Sequence, residues 1–276
     1  MKPMTQSRFF SSTFMILITA IAVINDILFI LMMLLLTGGG LYEFFYMVKK
    51  KGIPIYRYIG IPIGLLIPSS IFLRFELTKN WELLFIVITF LLILTMQFIR
   101  KDNRNAIIGI STTIFGVLYV SWFFSFLIKI RYLLPGGEGV QLLAFILLVT
   151  KGADIGALLI GSSFGRHPLL PRISPNKSVE GFLGSLIFAI LIALLSQKFL
   201  PDQLFLNGLQ IALMGAFFGS LGQLGDLSES LMKRDCNVKD SGKLLPGMGG
   251  VLDIIDSLSF SAPAFYLYMS ALVKVG

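Results

Sequence analysis

Asp253 and Asp256 stand three residues apart in "GVLDIIDSLSF", at the mouth of an apolar run. On a helix that spacing puts both carboxylates on one face. "GQLGDLSES" sets Asp226 and Glu229 at the same spacing, and Asp154 sits in "KGADIGALLIG" near one end of another apolar run. An acid inside a membrane costs about 2.5–3.5 kcal/mol on insertion scales, so it normally faces a wet cavity or a counter-ion. Two readings follow. Asp154, Asp226, Asp253 and Asp256 together could give oxygen ligands to Mg²⁺, which takes one or two carboxylates plus substrate phosphates. Equally, they could pair with Lys233, Arg234 and Lys239, as buried charges must.

The bases gather in two polar stretches, 161–180 ("GSSFGRHPLLPRISPNKSVE") and 226–250 ("DLSESLMKRDCNVKDSGKLLPGMGG"). There they alternate with Ser, Gly, Pro and acids, which suits ordered loops folded around an anion. Arg and Lys are the usual phosphate partners, Arg through its planar fork. Gly247, Gly249 and Gly250 would permit close backbone approach to a phosphate, or simply break a helix. There is no P-loop consensus. His167 is the only histidine, which excludes a two-histidine zinc site and leaves phosphate recognition or solvent exposure. The single Cys236 excludes an intramolecular disulfide and a cysteine-based metal cluster. Lys49-Lys50-Lys51 and Arg100-Lys101 lie beside apolar runs and read as positive-inside anchors.

These polar stretches must be positioned by apolar elements. The chain has 276 residues, 55% hydrophobic and 14% charged, with a mean hydropathy of +0.84. Soluble domains carry about a quarter charged residues, so this composition indicates a membrane protein. Runs of about 20 apolar residues predict nine transmembrane helices, roughly 9–24, 27–48, 55–73, 81–99, 105–129, 139–160, 181–200, 205–225 and 251–273. Asn25-Asp26 splits the first long run. With the N-terminus in the cytoplasm, cytoplasmic segments take most of the 23 bases, giving an N-in, C-out topology with both polar stretches inside. The expected fold is an all-α polytopic membrane protein, one integral membrane domain over 1–276, with N-terminal spans over 9–129 and a C-terminal catalytic half over 139–273. The net charge of +8 is accounted for by topology and anionic lipid headgroups, without a nucleic-acid partner.

The order Ser230-x-x-Lys233-Arg234-x₄-Lys239-Asp240, then Pro246-Gly247-x-Gly249-Gly250-x-x-Asp253-x-x-Asp256, resembles the signature of phosphatidate cytidylyltransferases (CDP-diacylglycerol synthases). So does the upstream block with Asp154, Gly165, Arg166, Ser174, Pro175, Asn176, Lys177, Glu180 and Gly181. The likeness covers about 150–260. That family joins CTP to phosphatidate, giving CDP-diacylglycerol and pyrophosphate. The resemblance implies Mg²⁺, as one ion or two, held by Asp226 and Asp253, with Asp256 and Asp154 as further ligands or acids behind them. It implies that Lys233, Arg234, Lys239 and Lys177 hold phosphates, joined by Arg166 and His167, and that Ser174, Ser178 and Asn176 donate hydrogen bonds. Ser230, Asp240, Gly249 and Gly250 complete the signature. It further implies a homodimer, and a bacterial-type inner membrane with the site facing the cytoplasm.

Two positions depart from the family pattern. Met248 and Ile254 stand where it commonly has His and Arg, and neither can donate a hydrogen bond to phosphate. Every carboxylate and base of the Lys-Arg-x₄-Lys-Asp core remains, so an active variant is expected. The chemistry suits a chain with one histidine. A phosphate monoester is already anionic near neutral pH, so the obstacle is electrostatic, and cations must bring two polyanions together. Other readings are a CTP-dependent polyprenol kinase, a cytidylyltransferase for another lipid phosphate, an ion-coupled transporter, and a catalytically silent relative.

Overall fold

A computed structural model describes residues 17–74, 81–100, 103–201, 204–242 and 249–275. The first half of the first expected span, together with Lys101, Lys243, Gly247 and Met248, lies outside the described residues. Helix α1 covers 17–24 and stops at Asn25, whose side chain accepts from the amides of Ile27 and Leu28, both at 3.0 Å. That N-cap, with Asp26 in the first turn, starts α2 (Asp26–Lys50). Then come α3 (Arg57–Phe72), α4 (Trp81–Ile99) and α5 (Ala106–Arg131). A π-helical segment interrupts α5 at Val117–Trp122. Helix α6 (Glu138–Phe164) leads to strands β1 (Pro168–Leu170) and β2 (Ser174–Ser178), followed by α7 (Val179–Leu195), α8 (Gly208–Asp235) and α9 (Leu252–Val275).

The described residues form a helical protein with three helices long and apolar enough to cross a membrane: Asp26–Lys50, Ala106–Arg131 and Pro135–Phe164. Helices Arg57–Phe72, Leu83–Ile99 and Val179–Leu195 are apolar but shorter. Two features differ from the sequence expectation. Helix α8 does not stop near 225 but continues to Asp235. The polar residues there end the apolar run without ending the hydrogen-bond ladder, and Lys233 pairs with Glu229 one turn back at 2.6 Å. Within 161–180, β1 and β2 pair antiparallel, Pro168 with Ser178 and Leu170 with Ser174. The ladder is short and irregular, as prolines on such strands require.

The chain divides into two compact units, Met1–Ile128 with Asp235–Ile255, and Lys129–Arg234 with Asp256–Gly276. The first is built on α2, whose Phe29, Met33, Leu41, Phe44 and Phe45 are all buried. In the second, Phe265 stacks on Phe145 at 5.9 Å and meets Phe218 edge-on at 5.1 Å. There α6 and α7 approach through small residues: a methyl on Gly156 would sit 2.5 Å from Phe188, and one on Gly152 would sit 2.7 Å from Ile192. Small residues at such positions let helix backbones pack closely in apolar surroundings.

Candidate active site

In the second unit, α8 presents glycine to α9. A methyl on Gly225 would run into the Asp256 carbonyl oxygen, and one on Gly222 would meet Thr150 at 3.0 Å. This close approach gathers three carboxylates. Asp256 is 6% exposed, accepts from the Ser257 amide at 2.5 Å, and has Asp226, Lys151 and Asp154 as charged neighbours. Asp154 accepts from Gln223 Nε2, Lys151 Nζ and Ser257 Oγ, each at 3.2 Å. Lys151 Nζ also donates to Ser257 Oγ at 2.9 Å. Asp226 Oδ2 lies 2.7 Å from Lys177 Nζ, off the hydrogen-bond direction, and Ser230 Oγ reaches Asp226 Oδ1 at 3.5 Å.

A cavity of about 350 Å³ opens beside these groups. Asp154, Asn176, Lys177, Ser178, Gln223 and Asp226 give it a polar wall, and Ala157, Leu158 and Phe182 an apolar one. The β-hairpin delivers Asn176 and Lys177, and two contacts fix it. Arg234 Nε donates to the Ile173 carbonyl at 3.1 Å. Glu180, just ahead of the apolar stretch 181–200, accepts from the amides of Arg166 and His167 at 3.0 and 3.2 Å. His167 Nδ1 lies 2.6 Å from the same carboxylate. The His167 ring first, and then the Arg166 amide, hold the Glu180 carboxyl down to about 2. Ser178 caps α7 by accepting from the Gly181 amide at 3.1 Å.

The first unit holds a separate group built around a residue the sequence analysis did not single out. Glu43, in the apolar interior of α2, is 3% exposed. Its Oε2 accepts from Ser241 Oγ at 3.1 Å and from the Leu252 amide at 3.0 Å, and its Oε1 is buried without a hydrogen bond. Asp253 Oδ2 accepts from Ser241 Oγ at 2.8 Å, the Ser241 amide at 3.3 Å and the Gly250 amide at 2.7 Å. Gly249 has φ +95°, and a side chain on Gly250 would overlap Ser241 and Glu43. Both glycines are therefore required where the chain turns into α9. An isolated acid in an apolar run was the available signal for Glu43.

The structure thus brings Asp154, Asp226, Asp256, Asn176, Lys177, Ser178 and Ser230 together in one unit. Asp253, Gly249 and Gly250 belong to the group around Glu43. Arg234 and His167 are engaged by the hairpin, Ser174 lies within β2, and Lys233 pairs with Glu229. Arg166 contributes its amide to Glu180, while Lys239 and Asp240 are exposed on the segment after α8.

Among the described residues, no three of His, Cys, Asp and Glu already surround one point as a metal shell. The donor chemistry of the second unit still fits Mg²⁺, which needs only one or two carboxylates when phosphates and water supply the rest. Asp226, 33% exposed at its side chain, lines the cavity and is available for that.

Carboxylates and a lysine thus line a cavity among apolar helices. The profile of the cytidylyltransferase family matches residues 6–272, and the chain belongs to that family. It is 36% identical over 234 residues to a phosphatidate cytidylyltransferase of Bacillus subtilis, covering 83% of this chain and 84% of the relative. A phosphatidate cytidylyltransferase of Staphylococcus epidermidis is 38% identical over 165 residues, 60% of this chain and 61% of the relative. An uncharacterized Escherichia coli protein, YnbB, is 37% identical over 227 residues, 78% of this chain and 70% of the relative.

Proposed function

We propose that this chain transfers the cytidylyl group of CTP to phosphatidate, giving CDP-diacylglycerol and releasing pyrophosphate. The observation that carries this reading is the cavity where Lys177 and Asp226 meet, in a chain of the cytidylyltransferase family. The phosphatidate phosphate attacks the α-phosphorus of CTP, the new P–O bond forms, and the bond to pyrophosphate breaks. Lys177 and Lys151 screen the anionic oxygens, and Asn176 and Ser178 orient them by hydrogen bonds. Asp226, with Asp256 and Asp154, would hold Mg²⁺, Asp253 being added on the strength of the signature, and the ion when bound would neutralise charge on the pyrophosphate leaving group. Lys233, Arg234 and Lys239 complete the phosphate-binding set in this reading.

The same proposal includes nine spans, an N-in and C-out topology, a single integral domain, a cytoplasmic-facing site in the inner membrane and a homodimer. The acyl chains stay in the bilayer while the headgroup enters the polar site. The test is transfer of labelled CTP to lipid by protein purified in detergent. Labelled lipid should form with phosphatidate and Mg²⁺, vanish with EDTA, and vanish in a folded Asp253→Asn variant. Labelled product from polyprenol and not from phosphatidate would sink the assignment of the acceptor. Near-normal transfer by Asp253→Asn would remove Asp253 from the metal set.

A further inference from the structure

We propose that the first unit carries a second lipid site, which takes the phosphate headgroup of an anionic phospholipid that is not a substrate. It is a cavity of about 630 Å³ at the ends of α2, α3 and α4. Lys49 from the last turn of α2, Arg57 at the start of α3 and Arg100 just past α4 line it. No acidic side chain lines it among the described residues.

The two guanidinium groups are held by neutral partners. Arg57 donates to the Tyr58 hydroxyl at 2.7 Å and lies 4.7 Å from its ring centre. Arg100 donates to the Pro54 carbonyl at 3.3 Å and lies 5.0 Å from the Tyr56 ring centre. Such contacts fix direction and leave the charge uncancelled. The lysine run is not uniform. Lys51 is paired with Asp235 at 2.5 Å and Lys50 lies over the Tyr46 ring at 4.6 Å, whereas Lys49 faces the cavity without an ion pair among the described residues.

Helix α3 begins here without a side-chain cap, so its first amides add donors on the same side. Ile53, Ile55 and Met96 make the rest of the wall apolar. A fork of cations against an apolar wall, at the end of a helix apolar enough to cross a membrane, suits a phosphate with acyl chains attached. A free nucleotide would leave the apolar wall unused. The cavity shares no lining residue with the one around Lys177 and Asp226.

The test is native mass spectrometry of the full chain in detergent, titrated with phosphatidylglycerol. That lipid is a phosphodiester without the monoester an acceptor needs. One phosphatidylglycerol should be retained saturably per chain, with phosphatidylcholine not retained under the same conditions. The Lys49→Gln, Arg57→Gln double variant should bind at least about tenfold more weakly, since each basic residue near the surface attracts an anionic lipid headgroup. The polar contacts of Arg57 stay within α3 and Lys49 forms no ion pair among the described residues, so the double variant should keep the parent's melting temperature and cytidylyl transfer. Unchanged affinity in that variant overturns the proposal, and so does equal retention of phosphatidylcholine. Displacement of phosphatidylglycerol by equimolar inorganic phosphate overturns the lipid assignment in favour of a free-anion site.

Discussion

In the second unit, Asp154 and Asp226 each face a lysine ammonium, at 3.2 and 2.7 Å. In the first, Glu43 and Asp253 converge on the hydroxyl of one serine, at 3.1 and 2.8 Å, with backbone amides completing the set. The difference separates two tasks. A lysine on a flexible stem can leave a carboxylate and follow a phosphate, so the second unit is suited to exchange partners as substrate and metal arrive. Amide donors at a helix start cannot follow anything, so the first unit is suited to hold Asp253 in one place. The comparison predicts that substitutions in the second unit act on chemistry and substrate affinity, and that substitutions of Glu43 itself act on stability, through the hold it shares with Ser241 on the segment that carries Asp253.

The largest expected effect is that of Asp226→Asn. Removing a charge that faces both Lys177 and the proposed metal should lower transfer at least about a thousandfold, several kcal/mol of transition-state stabilisation. The melting temperature should stay near the parent's, because the side chain is one-third exposed. Lys177→Gln should come next, with a loss of roughly a hundredfold concentrated in KM for CTP and partly recovered by Lys177→Arg. Kinetics with varied CTP check both. A loss confined to kcat in Lys177→Gln would show that the amine acts on the leaving group and not on binding.

Glu43 breaks the comparison from the other side. Glu43→Ala leaves the buried Leu252 amide without its acceptor, which costs about 1–3 kcal/mol, and thermal unfolding should show it. Glu43→Gln keeps an acceptor oxygen there and should retain transfer within about tenfold of the parent. If Glu43→Gln instead loses as much turnover as Asp226→Asn with its stability intact, the carboxylate is needed for its charge, and the two regions do not divide the work as described.

Much of this was legible in residue spacing and hydropathy. Asp226 and Lys177 line the cavity, whereas the i, i+3 aspartates at the start of α9 fall in two groups, Asp256 near Asp154 and Asp253 with Ser241. What escaped has physical reasons. A hydropathy run ends where charge begins, but a helix ends where its hydrogen-bond ladder does, so the α8 extension carrying Glu229, Ser230 and Lys233 was read as loop. The hairpin was hidden because its prolines oppose strand formation and its ladder is only a few residues long. Lys151 was not singled out in the sequence, and only packing of α6 with α8 and α9 sets it between Asp154 and Ser257. Glu43 stood alone among apolar residues, and its partners come from a segment far along the chain.

The smallest effect concerns pH, and it sharpens what the hairpin contributes. The Glu180 carboxyl is lowered from 4.5 to about 2 by the His167 ring and the amides of Arg166 and His167. A depressed carboxylate stabilises the fold fully above its unfolded value and loses that contribution only as pH falls towards the folded one. Between pH 5 and 8 Glu180 should therefore remain ionised and the hairpin should keep Lys177 and Asn176 at the cavity. Transfer rates across that range should show no ionisation attributable to Glu180, and Glu180→Gln should lower the rate by a roughly constant factor. An acidic limb in the parent that disappears in Glu180→Gln would mean that Glu180 titrates within the working range, and the hairpin would then be a movable part of the site and not a fixed wall.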